Sequence, residues 1–143
     1  MKSLLGLLSA AVLIATNAHK LKSSDYQSGV FKLDGPIAED VLSGMSADVQ
    51  VSYQDSDAQW QTYNMKSDAP NLVVFRTQGC PECESMSKEW ESLAETCRLK
   101  GININIDAID RENNLKLMKK QGIYQYPTIR FFQLGNQHVD FEI

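Results

Sequence analysis

The chain has 143 residues, with 18 acidic and 14 basic side chains and a formal net charge of −4 at pH 7. This length suits one compact domain with short appendages. The longest basic run is the pair Lys119-Lys120. Nucleic acid is therefore not a predicted partner, since its binding depends on clustered positive charge.

The first residues have the order of a secretory signal peptide. Lys2 precedes an apolar run over residues 4–15, and small residues follow up to Ala18. A buried helix or a membrane anchor is the alternative, but a membrane span needs about 20 apolar residues. We expect residues 1–18 to be removed, with the mature chain in the endoplasmic reticulum lumen or secreted and with no membrane association.

Residues 19–47 read as an N-terminal extension with partial structure, and residues 48–143 as the domain. The extension holds a β-like piece at 30–33, a turn signal at Asp34-Gly35 and a weak helical pattern over 36–45. In the domain, alternation of Val49, Val51 and Tyr53 with polar residues predicts a first strand.

A short helix is predicted next, from Ala58 to before Pro70. Asp57 could accept hydrogen bonds from its open amides, and Trp60, Tyr63 and Met65 would give it an apolar side.

The remaining pattern predicts alternating strands and helices. The apolar run 72–75 indicates a strand covered on both faces, residues 81–100 a long helix, 102–107 a third strand and 112–121 a helix. Residues 128–134 and 139–143 predict two strands joined across Gly135-Asn136. This order favours an α/β fold with a mixed sheet and helices on its faces.

Cys80 and Cys83 stand at the predicted start of the long helix. Open amides and the positive end of the helix dipole favour a thiolate at that place, and Pro81 suits the first helical position. Cys83 lies about one turn away, close enough to attack a mixed disulfide formed at Cys80 and release the bound protein. The pattern predicts a nucleophilic thiol, Cys80, and a resolving thiol, Cys83.

The alternative interpretation is that this cysteine pair supplies two of the four ligands of a zinc site. Zinc needs four ligands, and the remaining candidates, Cys97, His19 and His138, have no finger-like spacing. We predict no metal and no cofactor. Cys97, Trp60 and Trp90 lie on apolar helical faces in this reading, so each is predicted to be a core residue.

Two motifs in this order resemble a catalytic domain of protein disulfide isomerase in the thioredoxin superfamily. The first is Cys80-Pro81-Glu82-Cys83, and the second is the later stretch Gly122-Ile123-Tyr124-Gln125-Tyr126-Pro127-Thr128-Ile129-Arg130-Phe131-Phe132. Ile106-Asp107-Ala108 adds to the resemblance, which covers about residues 49–143.

The resemblance implies a thioredoxin fold, with a central mixed sheet flanked by helices and with Cys80 and Cys83 catalytic. It also implies a cis Pro127 facing them, and client contacts at Pro81, Glu82, Tyr126 and Pro127. The implied partners are disulfide-containing or unfolded client proteins, and a redox partner that is glutathione or another oxidoreductase.

Four features depart from the family. Val74 stands where a buried acid is usual, and Asn105 is taken as the position of the lysine that accompanies it. Glu82 replaces a histidine, which predicts a less oxidising disulfide because an anion opposes the Cys80 thiolate. The chain reaches Ile143 where the family continues into a final helix, so the fold is expected to lack it.

Three hypotheses remain open. The leading one is a thiol-disulfide oxidoreductase acting on secretory-pathway clients. A non-catalytic, chaperone-like client-binding module is the alternative, suggested by the absent acid and final helix. A glutathione-dependent, glutaredoxin-like enzyme is the third, for which Pro81 is the only local support.

Overall fold

The computed structural model describes residues 29–45, 48–54, 57–133 and 137–141. The predicted signal peptide, residues 19–28 and the Gly135-Asn136 turn lie outside these ranges. The described strands are β1 (Phe31–Lys32), β2 (Gln50–Gln54), β3 (Trp60–Asn64), β4 (Asn71–Arg76), β5 (Asn105–Asp110), β6 (Thr128–Gln133) and β7 (Gln137–Phe141). The described helices are α1 (Gly35–Leu42), α2 (Pro81–Leu99) and α3 (Leu115–Gln121), with a 3₁₀ turn at Arg111–Asn113 before α3.

Five strands form one mixed sheet in the order β1-β5-β4-β6-β7. The three strands β1, β5 and β4 run parallel, whereas β6 pairs antiparallel with β4 and β7 antiparallel with β6. The mixed sheet is confirmed. Parallel strands need crossovers, and α2 supplies the one from β4 to β5.

The strand β1 is an edge of this sheet rather than part of a separate extension. Phe31 pairs with Asp107 and Lys32 with Ala108. Phe31 also joins Val41 and Leu42 of α1 in the main hydrophobic cluster. The boundary predicted at residue 48 therefore does not separate two structural units, because residues on both sides share one core.

The predicted helix after Ala58 is wrong, because residues 60–64 form β3, which pairs antiparallel with β2 in a separate two-stranded sheet. Ala58 has a φ of 58°, which a right-handed helix does not admit. Tyr63 lies opposite Val51 and stacks on Tyr53 with ring centroids 5.8 Å apart. Cross-strand packing of aromatic side chains therefore stabilises this segment as a strand.

The other predicted elements are found with shifted bounds. The third strand begins at Asn105 instead of residue 102, since Ile102 and Ile104 belong to the turn after α2. The helix predicted from 112 begins at Leu115, after the 3₁₀ turn.

Two apolar clusters cover the two faces of the sheet. One joins α1, α3 and the β2–β3 hairpin to one face, and the other joins α2 to the opposite face. Trp90 of α2 anchors the second, since its indole N–H donates to the main-chain oxygen of Asp107 at 3.1 Å. In the described part of the chain, no helix combines the length and the apolar character that a membrane crossing requires.

Candidate functional site

Cys80 is placed by the sharp connection between β4 and α2. Gly79 has a φ of 66°, in the left-handed region that glycine enters without steric cost. Cys80 then caps α2 with an extended backbone, and Pro81 takes the first turn of the helix. The Cys80 sulfur accepts a hydrogen bond from the Cys83 amide at 3.1 Å. The sulfur thus occupies the position where a helix favours a thiolate.

Cys80 and Cys83 are joined in a disulfide, with their Cα atoms 5.2 Å apart. Both residues are buried, Cys80 at 9% exposure and Cys83 at 4%. Of the pair, Cys80 is therefore the more accessible to a partner.

A cavity of about 360 Å³ opens at Cys80 and is lined by Thr77, Cys80, Pro81, Glu82 and Tyr126. Three of the predicted client-contact residues, Pro81, Glu82 and Tyr126, thus line the same cavity as Cys80. The fourth, Pro127, follows Tyr126 directly through a cis peptide bond. Sequence reasoning missed Thr77, whose only signal was its place three residues before Cys80.

Tyr126 lies just outside the sheet. Register pairing of β4 with β6 ends at Phe75 and Thr128. Burial raises the pKa of the Tyr126 phenol, although the positive charge of Arg111 acts in the opposite direction. The phenol is therefore a neutral group at the wall of the cavity.

The strand register shows that Asn105 does not lie beside Val74. The β5 residue paired with Val74 is Ala108, whereas Asn105 pairs with Asn71. Asn105 instead holds the loop before β4, accepting from the amide of Lys66 at 2.9 Å and donating to its carbonyl at 2.8 Å. The pair Val74 and Ala108 is therefore apolar, and both residues belong to the cluster that packs against α2.

A buried carboxyl is nevertheless present at Asp107, which sequence reasoning passed over. Its side chain is fully buried, and neither carboxyl oxygen has a hydrogen-bond partner among the residues that the structure describes. Burial raises the pKa of this carboxyl well above its usual range, against a smaller opposing effect of Arg98. Asp107 pairs with Val73, so it projects to the face opposite Val74 and does not replace the missing acid.

Cys83 borders a second, polar cavity of about 390 Å³, which Arg76, Asp110 and Glu112 also line. Partial burial alone would raise the pKa of Glu112, but hydrogen bonds from Thr77 and Gln78 lower it. Each cysteine of the pair thus has its own cavity.

The predictions for the remaining residues, Cys97, Trp90 and Trp60, have different outcomes. Cys97 and Trp90 are buried, as predicted. Trp60 is 43% exposed, so its assignment to the core is wrong, because β3 is a strand with that side chain turned outward. Within the described ranges, no group of three or more His, Cys, Asp or Glu side chains is placed to hold a metal ion.

Comparisons with known proteins agree with this geometry. The thioredoxin family model matches residues 51–142. Human protein disulfide-isomerase A6 is 27% identical over 124 residues, covering 85% of this chain and 26% of the relative. Protein disulfide-isomerase like 2-2 of Arabidopsis thaliana is 32% identical over 78 residues, covering 54% of this chain and 17% of the relative.

The chain thus spans about a quarter or less of the length of these relatives. Among solved structures, thioredoxin of Malassezia sympodialis superposes with a TM-score of 0.55 at 17% identity, covering 87% of this chain and 84% of the other. That similarity supports the fold, a thioredoxin fold with a mixed central sheet and three described helices. The family match over most of the chain and the Cys80–Cys83 disulfide at the start of α2 lead to one conclusion: this chain belongs to the thioredoxin family.

Proposed function

We propose that the chain is a thiol-disulfide oxidoreductase that acts on client proteins of the secretory pathway. The observation that carries the proposal is the Cys80–Cys83 disulfide at the N-terminus of α2, with an open cavity at Cys80. This arrangement holds a sulfur where its thiolate is stabilised and keeps a second sulfur one turn away.

The reductive direction has two steps. The Cys80 thiolate attacks a client disulfide, so that one client sulfur leaves as a thiolate and the other stays bonded to Cys80. Cys83 then attacks the Cys80 sulfur, which frees the second client sulfur and forms the Cys80–Cys83 disulfide. Two glutathione molecules, or the dithiol of another oxidoreductase, restore the two thiols and are themselves oxidised to a disulfide.

Client binding is proposed at Pro81, Glu82, Tyr126 and Pro127. Tyr126 lies beyond the last register pair of β4 and β6, beside the cavity at Cys80. An extended client segment could pair with its main chain while presenting a disulfide to Cys80, as peptides do at sheet edges. Pro127 has no N–H to offer, so pairing would depend on Tyr126.

We place the protein in the endoplasmic reticulum lumen or outside the cell. The support is the charge, hydrophobe and small-residue order of residues 1–18. Expression of the full chain in a secretory host, followed by N-terminal sequencing, tests this. The expected N-terminus is His19, and recovery of an intact chain starting at Met1 would reject the placement.

The activity is tested by reduction of insulin disulfides and by recovery of scrambled ribonuclease. Cys80→Ser is expected to abolish both activities, whereas the matched control Cys97→Ala keeps them, since Cys97 is buried in the α2 cluster. Suppression of aggregation that persists in the Cys80→Ser/Cys83→Ser protein, with no reductase activity in the wild type, would reject the enzyme and favour a client-binding module.

A further inference from the structure

We infer that Glu82 selects the partners of Cys80 by charge: the site favours disulfides flanked by cationic side chains and disfavours anionic partners such as glutathione. This inference rests on the proposed function and names its substrate class. The step concerned is the first one, in which the Cys80 thiolate attacks the disulfide of a partner. The same preference favours an oxidoreductase with basic residues around its cysteines over glutathione as the redox partner.

The cavity at Cys80 is the place where a sulfur of the partner must arrive. Its lining consists of Thr77, Cys80, Pro81, Glu82 and Tyr126. Apart from Cys80 itself, Glu82 is the charged side chain of this lining, since burial raises the pKa of the Tyr126 phenol and keeps it neutral. A partner that brings a sulfur to Cys80 therefore brings its flanking groups close to a carboxylate.

Glu82 is exposed in the first turn of α2. Among the residues that the structure describes, no cation lies within salt-bridge distance of its carboxylate. The group is thus available to a charge that a partner carries into the cavity.

Arg111 is a cation whose charge acts on Tyr126, at the wall of the cavity. Its guanidinium lies 3.8 Å from the Glu112 carboxylate, whose charge acts on the same phenol in the opposite direction. Arg111 and Glu112 therefore largely offset each other, and the charge of Glu82 is left unbalanced at the cavity.

The cations on the other side of the disulfide line the polar cavity at Cys83. The charged side chains of that cavity are Lys32, Arg76, Glu84, Asp110 and Glu112. Both cations contact Asp110, at 3.3 and 2.8 Å. Because the acids outnumber the bases there, this side supplies no excess positive charge to offset Glu82.

The charge of the partner matters before the new bond forms. The Cys80 thiolate bonds to one sulfur of the partner disulfide, the partner's S–S bond breaks, and the other sulfur leaves as a thiolate that takes a proton from water. Cys80 is oxidised and the departing sulfur is reduced. During the approach, Cys80 and Glu82 are both anions, so a cation beside the partner's sulfur is attracted and an anion is repelled. Glutathione has two carboxylates and one ammonium group at neutral pH, so it is a net anion.

The test measures the rate of this single step in the Cys83→Ser protein, in which no resolving thiol releases the partner. Three small disulfides of different charge serve as partners: cationic cystamine, neutral bis(2-hydroxyethyl) disulfide and anionic glutathione disulfide. Each is used in excess, and peptide mass spectrometry follows the mixed disulfide at Cys80 separately from any reaction at Cys97.

Each rate is divided by the rate of the neutral disulfide with the same protein. This ratio removes changes in the nucleophilicity of Cys80, which affect all three disulfides alike. Glu82→Gln is expected to lower the cystamine ratio and to raise the glutathione ratio, each by about twofold to fivefold at low salt, as for a charge several ångströms away in water. Glu82→Lys should extend both changes in the same direction, and 1 M salt should largely remove them.

Glu95→Gln is the matched control, because Glu95 is an exposed glutamate of the same helix, about 20 Å along α2 from Glu82. It should leave both ratios unchanged. Ratios that stay the same in Glu82→Gln, or that change as much in Glu95→Gln, would overturn the assignment. Glu82 is exposed, so its substitution leaves the core intact.

The outcome is separable from the proposed function. Rate ratios that shift as expected, combined with an absence of insulin reduction, would keep the charge selection and reject the activity. Normal insulin reduction with unchanged ratios would keep the activity and reject the selection by Glu82.

Discussion

Val74 and Ala108 lie side by side in the parallel strands β4 and β5, and both are buried in the cluster under α2. Val74, the position that the resemblance assigns to a buried acid, therefore has an apolar neighbour on the adjacent strand. The sheet under α2 therefore holds no ionisable pair at this register position.

A charged side chain introduced at Val74 alone or at Ala108 alone should destabilise the protein, and the two introduced together should partly compensate each other. Val74→Asp puts a carboxylate into an apolar cluster and is expected to lower the free energy of unfolding by about 3–5 kcal/mol. Val74→Asp/Ala108→Lys should be less destabilised than the sum of the two single variants, with a coupling energy of about 1–3 kcal/mol. Urea unfolding of the four proteins gives the cycle, and additive effects would contradict the adjacency.

The free energy of unfolding should fall with rising pH because of the buried Asp107 carboxyl. Its pKa is raised by burial in the folded state, so the folded chain keeps this proton where the unfolded chain releases it. The contribution is complete below the unfolded pKa of about 4, and it is lost as pH rises toward the raised folded value, by up to about 1.4 kcal/mol per pH unit.

Asp107→Asn removes this titration. Urea midpoints measured from pH 4 to pH 8 should fall more steeply with rising pH for the wild type than for the variant. Parallel curves for the two proteins would show that Asp107 does not titrate in this way.

The two tryptophans should respond differently to the same substitution. Trp90→Phe removes the donor to the Asp107 carbonyl and leaves a small void, at an expected loss of about 1–3 kcal/mol. Trp60→Phe, at an exposed strand position, should change stability by less than about 0.5 kcal/mol. Thermal unfolding of both variants makes the comparison, and similar losses would contradict the assigned environments.

Glu82 should make the Cys80–Cys83 disulfide less oxidising, because its negative charge disfavours the Cys80 thiolate of the reduced form. It follows Cys80 by two residues in the first turn of α2 and is exposed. Glu82→Gln removes an anion near the Cys80 thiolate, so the reduction potential should rise by about 10–30 mV. The difference should shrink at 1 M salt, since the charge is solvent-exposed. A potential that falls would reverse the assigned sign.

Local signals were sufficient for the elements that carry the chemistry. The run of residues 72–75, the cysteines and the period of the following helix together predicted β4, the helix start and α2. The prediction for the segment after Ala58 was wrong, because the spacing of Trp60, Tyr63 and Met65 fits a helical face as well as a strand. Only pairing with β2, a tertiary contact, decided it.

The site residues that the sequence did not predict were missed for the same reason, because tertiary contacts place them. Asp107 looked like part of an alternating strand, and only the position of β5 between β1 and β4 buries it completely. Arg76, Asp110 and Lys32 are far apart in sequence and meet because three parallel strands end at one edge. Strand register, which the sequence pattern does not encode, accounts for both.

The central claim is that Cys80 and Cys83 form a reversible dithiol-disulfide couple. Its most direct test is a redox titration in glutathione buffers, with the two thiols counted by alkylation and mass spectrometry. The account predicts one two-electron transition confined to Cys80 and Cys83, with a midpoint below about −180 mV, more reducing than protein disulfide isomerase. No transition across the buffer range, or a transition that pairs Cys97 with either cysteine, would contradict it.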